Sequence, residues 1–201
     1  EKYIESLENP NINIVFGYGY AGTGKTYLAT LYAIQCLKQG SIDKIVITRP
    51  NVAVDDRDIG YLPGDILKKM SPWVKPILDV FEEYYSVKEI TQMIEENIIE
   101  LVPMAYIRGR TFKNAVVLLD EAQNTTEPQM KMFLTRMGQN AQFVVTGDLT
   151  QIDLPAKQKS GLPQALKLLE SVSEAKIVFL NAQDVVRHPL VKKIIDRYDH
   201  S

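Results

Sequence analysis

The chain has 201 residues, 45% of them apolar, a formal net charge of −2, one cysteine and two histidines. That length suits one well-buried α/β core, removing about 70% of the unfolded surface from water, and excludes a tandem of two such cores. Cys36 alone makes no disulfide within the chain, which fits the cytoplasm, and His188 and His200 without a cysteine cluster cannot assemble a zinc site. No apolar run is long enough to span a membrane, no signal peptide opens the chain, and the start at Glu1 reads as that of a processed or excised fragment.

In chain order, the first pattern is a β-like run over 12–17 followed by Gly19-Tyr-Ala-Gly-Thr-Gly-Lys-Thr26 and a helix over 24–38. Gly, any four, Gly, Lys, Ser/Thr is the phosphate-binding loop, and a strand, a glycine turn and a helix are its required context. Gly19, Gly22 and Gly24 let the backbone, with Tyr20, Ala21 and Thr23, aim successive N–H groups at one anion. Lys25 is then expected on the β- and γ-phosphates and Thr26 on Mg²⁺. Gly17-x-Gly19-x-x-Gly22 also satisfies a dinucleotide fingerprint. That alternative needs an acid after the next strand, 43–48, which ends instead in Arg49-Pro50.

Between Asn51 and Asn97 the strand–helix rhythm gives way to proline turns and an amphipathic run from Trp73 to Tyr84, read as a helical insertion. A strand over 98–103 leads to Tyr106-Ile-Arg108-Gly-Arg110-Thr-Phe112-Lys113. This is the one local basic and aromatic patch in a chain with no global attraction for nucleic acid. Arg108 and Arg110 would grip phosphates and Tyr106 and Phe112 stack on bases; the alternative is that both arginines are structural.

The strand over 115–120 is an unbroken apolar run that ends in Asp120-Glu121, as a buried parallel strand does. Asp120 is placed to hold Mg²⁺ beside Thr26, and Glu121 to polarise the attacking water. An acid beside the metal acid suits hydrolysis over transfer to a small acceptor, and the absence of Asn-Lys-x-Asp favours ATP over GTP. A helix over 127–137 starts at Thr126-Glu-Pro128. The strand over 141–147 is expected to lie between the other two site strands, presenting Thr146, Asp148 and Gln151 as γ-phosphate sensors, with Asp148 equally readable as a turn cap. A helix over 161–172, a strand over 175–181 and a helix over 187–198 complete the chain.

These motifs, with Ile47-Thr-Arg-Pro50, Tyr61-Leu-Pro-Gly-Asp65, Asp120-Glu-Ala-Gln-Asn-Thr-Thr126, Thr146-Gly-Asp-Leu-Thr-Gln151 and Asp184-Val-Val-Arg-His-Pro-Leu-Val191, resemble the PhoH-like ATPase family over nearly the whole chain. The resemblance implies a single RecA-like phosphate-loop domain over 1–201, its mainly parallel sheet flanked by helices, related to superfamily 1 helicases. It implies ATP with Mg²⁺, catalysis through Lys25, Glu121 and Gln151, and coupling to single-stranded RNA, with Arg49 added to the nucleic-acid contacts. It also brings in an arginine supplied by a neighbouring copy, for which Arg187 is the candidate, and therefore a homo-oligomeric ring such as a hexamer. Pairing of Arg187 with Asp184 at a helix start is the competing role. Two departures stand out: the segment 51–59 after Arg49-Pro50 carries an extra residue, and the chain begins after the Gln-containing segment that reads adenine in the family. The rival functional readings are an ATP-gated interaction module without motor activity, and a small-molecule kinase, for which the sequence offers no arginine-bearing lid.

Overall fold

The structure, a computed structural model, describes residues 1–50 and 74–181 and the single positions 184, 190 and 197. The Tyr61–Asp65 motif, Trp73 and Arg187 lie outside the described residues.

Strands β1 (Ile14–Gly19), β2 (Lys44–Thr48), β3 (Ile99–Leu101), β4 (Ala115–Leu119), β5 (Ala141–Gly147) and β6 (Ala175–Leu180) form one six-stranded sheet in the order β3-β2-β4-β5-β1-β6. Every pairing is parallel. Parallel neighbours need crossovers, and the helices supply them on both faces: α1 (Lys2–Glu8), α2 (Lys25–Lys38), α3 (residues 74–82), α4 (Val87–Glu95), α5 (Glu127–Leu134) and α6 (Gly161–Leu169).

Alternation along the strands builds the two core layers. Val116 and Leu118 of β4, with Val15, Ile45, Ile47 and Val144, pack against Ala33 and Ile34 of α2, Phe81 of α3 and Ile90 of α4. Val117 and Leu119, with Phe16, Val46 and Phe143, face Met130 and Phe133 of α5 and Leu162 of α6. Phe133 and Phe143 meet with ring centroids 4.9 Å apart, a tilted arrangement that their quadrupoles favour.

This is the RecA-like phosphate-loop fold expected from the sequence, and β5 does lie between β1 and β4. Within the expected insertion, the described part is α3 and α4, the latter started by a capping box between Ser86 and Glu89. The helix start at Thr126 is likewise a capping box, closed by Gln129, with Pro128 in the first turn. Helix α1 was not anticipated. It has no side-chain cap, and burial of Tyr3 and Leu7, one turn apart on the same face, holds it.

Candidate functional site

The loop between β1 and α2 is shaped by its glycines. Gly19 has φ 140° and passes so close to β6 that a Cβ would stand 1.9 Å from the Leu180 carbonyl oxygen. Gly24 caps α2 in the left-handed region, φ 79°, with no side-chain capping bond, so the first-turn N–H groups of α2 keep their capacity for an external anion. Lys25 is buried, and its Nζ donates to the carbonyls of Gly19 (2.9 Å) and Tyr20 (2.6 Å) and to Thr23 Oγ1 (3.3 Å). Burial pushes the Lys25 ammonium below its ordinary range, while the carboxylates of Asp148, Asp120 and Glu121 pull the other way. Beneath the loop, buried Tyr3 donates from its hydroxyl to the Lys25 carbonyl at 3.4 Å.

The carboxyl ends of β2, β4 and β5 converge on Asp120, which is buried. Its Oδ1 accepts from Thr26 Oγ1 (2.8 Å) and Thr146 Oγ1 (2.7 Å), and its Oδ2 from Arg49 Nε (3.0 Å) and Nη2 (2.5 Å). Four charge-assisted hydrogen bonds from three residues on three segments therefore fix one carboxylate. Glu121 follows in the left-handed region, φ 57°, a conformation that costs a non-glycine residue about 1 kcal/mol and that persists where the surroundings impose it. That backbone turn sends the second acid away from the first.

Gln123, fully buried in the 3₁₀ turn Ala122–Asn124, holds this second acid. Its Nε2 donates to Glu121 Oε2 (2.6 Å) and to the Gln151 carbonyl (3.2 Å), and its Oε1 accepts from the Asp148 N–H (3.1 Å). Of the two roles the sequence left open for Asp148, the turn cap is the one seen. Oδ1 accepts from Thr150 N–H and Oγ1 as a turn cap, and Oδ2 accepts from the Ala21 N–H (3.0 Å), tying β5 to the phosphate loop. Ala21, Gly22, Gly24, Lys25, Thr26, Tyr27, Asp120, Glu121, Gly147, Asp148 and Gln151 line a single cleft of about 260 Å³. Of the loop, acid and sensor residues read from the sequence, Ala21, Gly22, Gly24, Lys25, Thr26, Asp120, Glu121, Asp148 and Gln151 are thus brought together in the cleft wall, whereas Gly19, Tyr20, Thr23 and Thr146 support it from outside. Gln123 was read from the sequence only as part of the Asp120–Thr126 motif and given no role of its own, because a glutamine two residues past an acid pair has no periodicity of its own.

The residues expected on nucleic acid are dispersed. Arg49 reaches into the site, onto Asp120. Tyr106 and Arg108 are exposed, whereas Arg110 is half-buried, pairs with Glu100 Oε2 (2.6 Å) and stacks over the Phe112 ring at 4.7 Å. Phe112 corrects the expectation of a base-stacking ring: it is 3% exposed and belongs to the core beside Phe143. Lys44 also pairs with Glu100, and these two cations hold the Glu100 carboxyl below its ordinary range despite the opposing effect of burial.

A family profile described as PhoH-like protein matches residues 1–199. The chain belongs to this family. Relatives include PhoH-like proteins of Bacillus subtilis, 49% identical over 198 residues, and of Synechocystis, 44% identical over 200 residues. Protein PhoH of Escherichia coli is 41% identical over 198 residues. The alignments cover 98%, 100% and 98% of this chain but 61%, 60% and 55% of those proteins, so the chain spans little more than half of their length. Among solved structures, the Pyrococcus furiosus Hef helicase domain aligns with TM-score 0.48 and 13% identity over 92% of this chain and 38% of that one. Bacteroides Pif1 bound to ssDNA aligns with TM-score 0.41 and 15% identity over 96% of this chain and 45% of that one. The fold of this PhoH-like chain rests on its own strand pairing.

Among the described residues no helix is long and apolar enough to cross a membrane, and no three His, Cys, Asp or Glu side chains cluster as a metal cage.

Proposed function

We propose that this PhoH-like domain binds ATP with Mg²⁺ in the cleft, hydrolyses it through Glu121, and couples turnover to single-stranded RNA. The observation that carries the reading is the separation of two adjacent acids by the left-handed turn at Glu121: Asp120 is held by Thr26, Thr146 and Arg49, and Glu121, among the described residues, by Gln123. Thr26 and Asp120 offer hard oxygen donors without a protein cage, which suits a cation that arrives with phosphates and keeps most of its water. Mg²⁺, held there by Thr26 and Asp120, would offset the negative charge on the phosphates.

In the cycle proposed, the loop N–H groups and Lys25 bind the phosphate chain, Lys25 exchanging its loop carbonyls for phosphate oxygens. Gln123 holds Glu121 Oε2, leaving Oε1 to take the proton from a water attacking the terminal phosphate. Gln151, on the rim of the same cleft, serves as the γ-phosphate sensor. RNA contact is assigned to Tyr106, Arg108 and Arg110, and Arg49 joins them only by releasing Asp120. In a homo-oligomeric ring, Arg187 of one copy would complete the neighbour's phosphate site, and activity per subunit would then rise with protein concentration.

ATPase assays with and without single-stranded RNA or DNA test the reading. Lys25→Ala is expected to abolish ATP binding, and Glu121→Gln to keep binding while losing at least ~10²-fold in turnover. Equal loss of binding in both variants would overturn the division of roles. RNA should accelerate the parent, and Arg108→Ala with Arg110→Ala should weaken RNA binding and flatten its salt dependence, since each lost phosphate contact removes roughly one counterion released. The engagement of Arg110 by Glu100 and the net charge of −2 favour a second reading, an ATP-gated interaction module, and turnover indifferent to RNA and DNA would select it.

A further inference from the structure

Tyr27 is a large aromatic side chain at the nucleotide cleft that nothing in the hydrolysis scheme uses. It is the aromatic residue among those lining the cleft, and it remains 40% exposed. Its hydroxyl donates to Glu83 Oε2 at 3.0 Å, joining the first turn of α2 to the chain just beyond α3 and limiting how the ring turns. An exposed tyrosine on a helix is ordinary; one fixed at the lip of a phosphate site by a second element is not required by the core, which Tyr27 does not enter.

The direction of the phosphate chain gives the ring a ligand. Glu121, Asp148 and Gln151 mark where a terminal phosphate must sit to be attacked. The Leu28 N–H already donates to the Gly24 carbonyl at 2.9 Å, so the first-turn N–H groups that precede it, those of Lys25, Thr26 and Tyr27, are the ones α2 offers to the phosphates. The phosphate nearest the sugar therefore lies against the first turn of α2, and the nucleoside leaves the cleft over Tyr27.

We propose that Tyr27, oriented by Glu83, is the stacking platform for the nucleobase. The inference rests on the phosphate-loop reading of the cleft and adds the part of the ligand that reading leaves unassigned. Every base has a π-face, so the platform supplies affinity without choosing adenine over guanine. Tyr27 also titrates above its ordinary range, chiefly because of the Glu83 hydrogen bond, and so keeps its hydroxyl proton throughout the neutral range.

Calorimetric titration of the 201-residue chain with Mg·ATP, Mg·GTP and Mg·tripolyphosphate tests it, because the last has the phosphates and no base. Tyr27→Ala should weaken both nucleotides roughly tenfold and leave tripolyphosphate unchanged, while Tyr27→Phe, which keeps the ring, should stay within about threefold of the parent. Tyr27→Leu keeps bulk and helix propensity without a π-face and should behave as the alanine variant does. Parallel loss of all three ligands would mean that Tyr27 shapes the loop, and no loss of any would mean that the base lies elsewhere; either overturns the inference. A parent chain that binds neither nucleotide nor tripolyphosphate would instead overturn the phosphate-site reading on which it rests.

Discussion

Gln123→Ala removes a side chain with no solvent exposure that makes three hydrogen bonds within one turn of the site. The largest loss is at the Asp148 N–H, whose acceptor disappears while the residue stays buried; an unsatisfied buried group costs roughly 1–3 kcal/mol. The vacated volume adds to this, because the space around the amide is tight: a Cβ on Gly147 would stand 3.0 Å from Gln123 Oε1. Water from the adjoining cleft can refill part of that volume, so the total is about 2–4 kcal/mol rather than the full cavity cost. For a domain of this size that lowers Tm by on the order of 10 °C. Gln123→Glu separates the terms, since it keeps volume and the acceptor for Asp148 but sets a carboxylate against that of Glu121. Two carboxylates at hydrogen-bond distance cannot both ionise cheaply, so the glutamate variant should regain stability relative to the parent as the pH falls and one of them takes a proton. Thermal and urea unfolding of both variants over a pH series measures this, with turnover as the second readout, expected to fall because Glu121 loses its anchor. An alanine variant within 0.5 kcal/mol of the parent, at about the ordinary surface level, would refute the buried-network account of Gln123.

Two further outcomes follow from the ion pairs. The folded-state pKa of Glu100 is depressed by Lys44 and Arg110, so its stabilising contribution is complete above the unfolded carboxylate value, about 4.3, and is lost as the pH falls through the folded value. The stability difference between the parent and Glu100→Gln should therefore be largest at neutral pH and shrink in acid, and a difference independent of pH would show that the pairing is incidental. Arg49→Ala leaves the buried Asp120 carboxylate with hydroxyl donors only, at a cost of up to ~3 kcal/mol, moderated because the guanidinium is partly open to water. Mg·ATP should recover more Tm in that variant than in the parent, whereas a loss of RNA affinity with unchanged Tm would return Arg49 to the nucleic-acid surface.

What the sequence made legible is what local chemistry dictates. Gly19, Gly22 and Gly24 mark the loop because its positive φ angles favour glycine, Lys25 and Thr26 open the helix that follows, and Ala115–Leu119 reads as a buried strand because both of its faces are covered. The position of β5 between β1 and β4 also followed, since it is the arrangement that brings Asp148 to the Ala21 N–H and Thr146 to Asp120. Phe112 was misread because an aromatic beside two arginines looks the same in sequence whether it faces bases or the core; the strand pairing that buries it is non-local. Helix α1 was missed for a related reason: its stability comes from Tyr3 lying where a Cβ at Gly17 would clash, a contact between segments that no local pattern announces.

The same non-local contacts decide how a change at the phosphates can reach the rest of the domain. Glu121 touches Gln123, Gln123 touches the Gln151 carbonyl and the Asp148 N–H, and the neighbouring Asn124 Oδ1 accepts from the Asp153 N–H at 2.7 Å. The segment 148–153 is therefore held at both ends by one 3₁₀ turn, and that turn begins at the residue assigned to the water. Such a chain of bonds is a physical route and not yet a coupling, which requires two arrangements with different energies. Glu121 supplies the ingredient for a second arrangement, since its left-handed backbone is held against an intrinsic cost of about 1 kcal/mol and relaxation there would release Gln123 from its anchor. A motor and an ATP-gated module would both use this turn; linkage makes a partner that senses the nucleotide change nucleotide affinity in either case, and the two differ in whether that partner also changes the rate of hydrolysis.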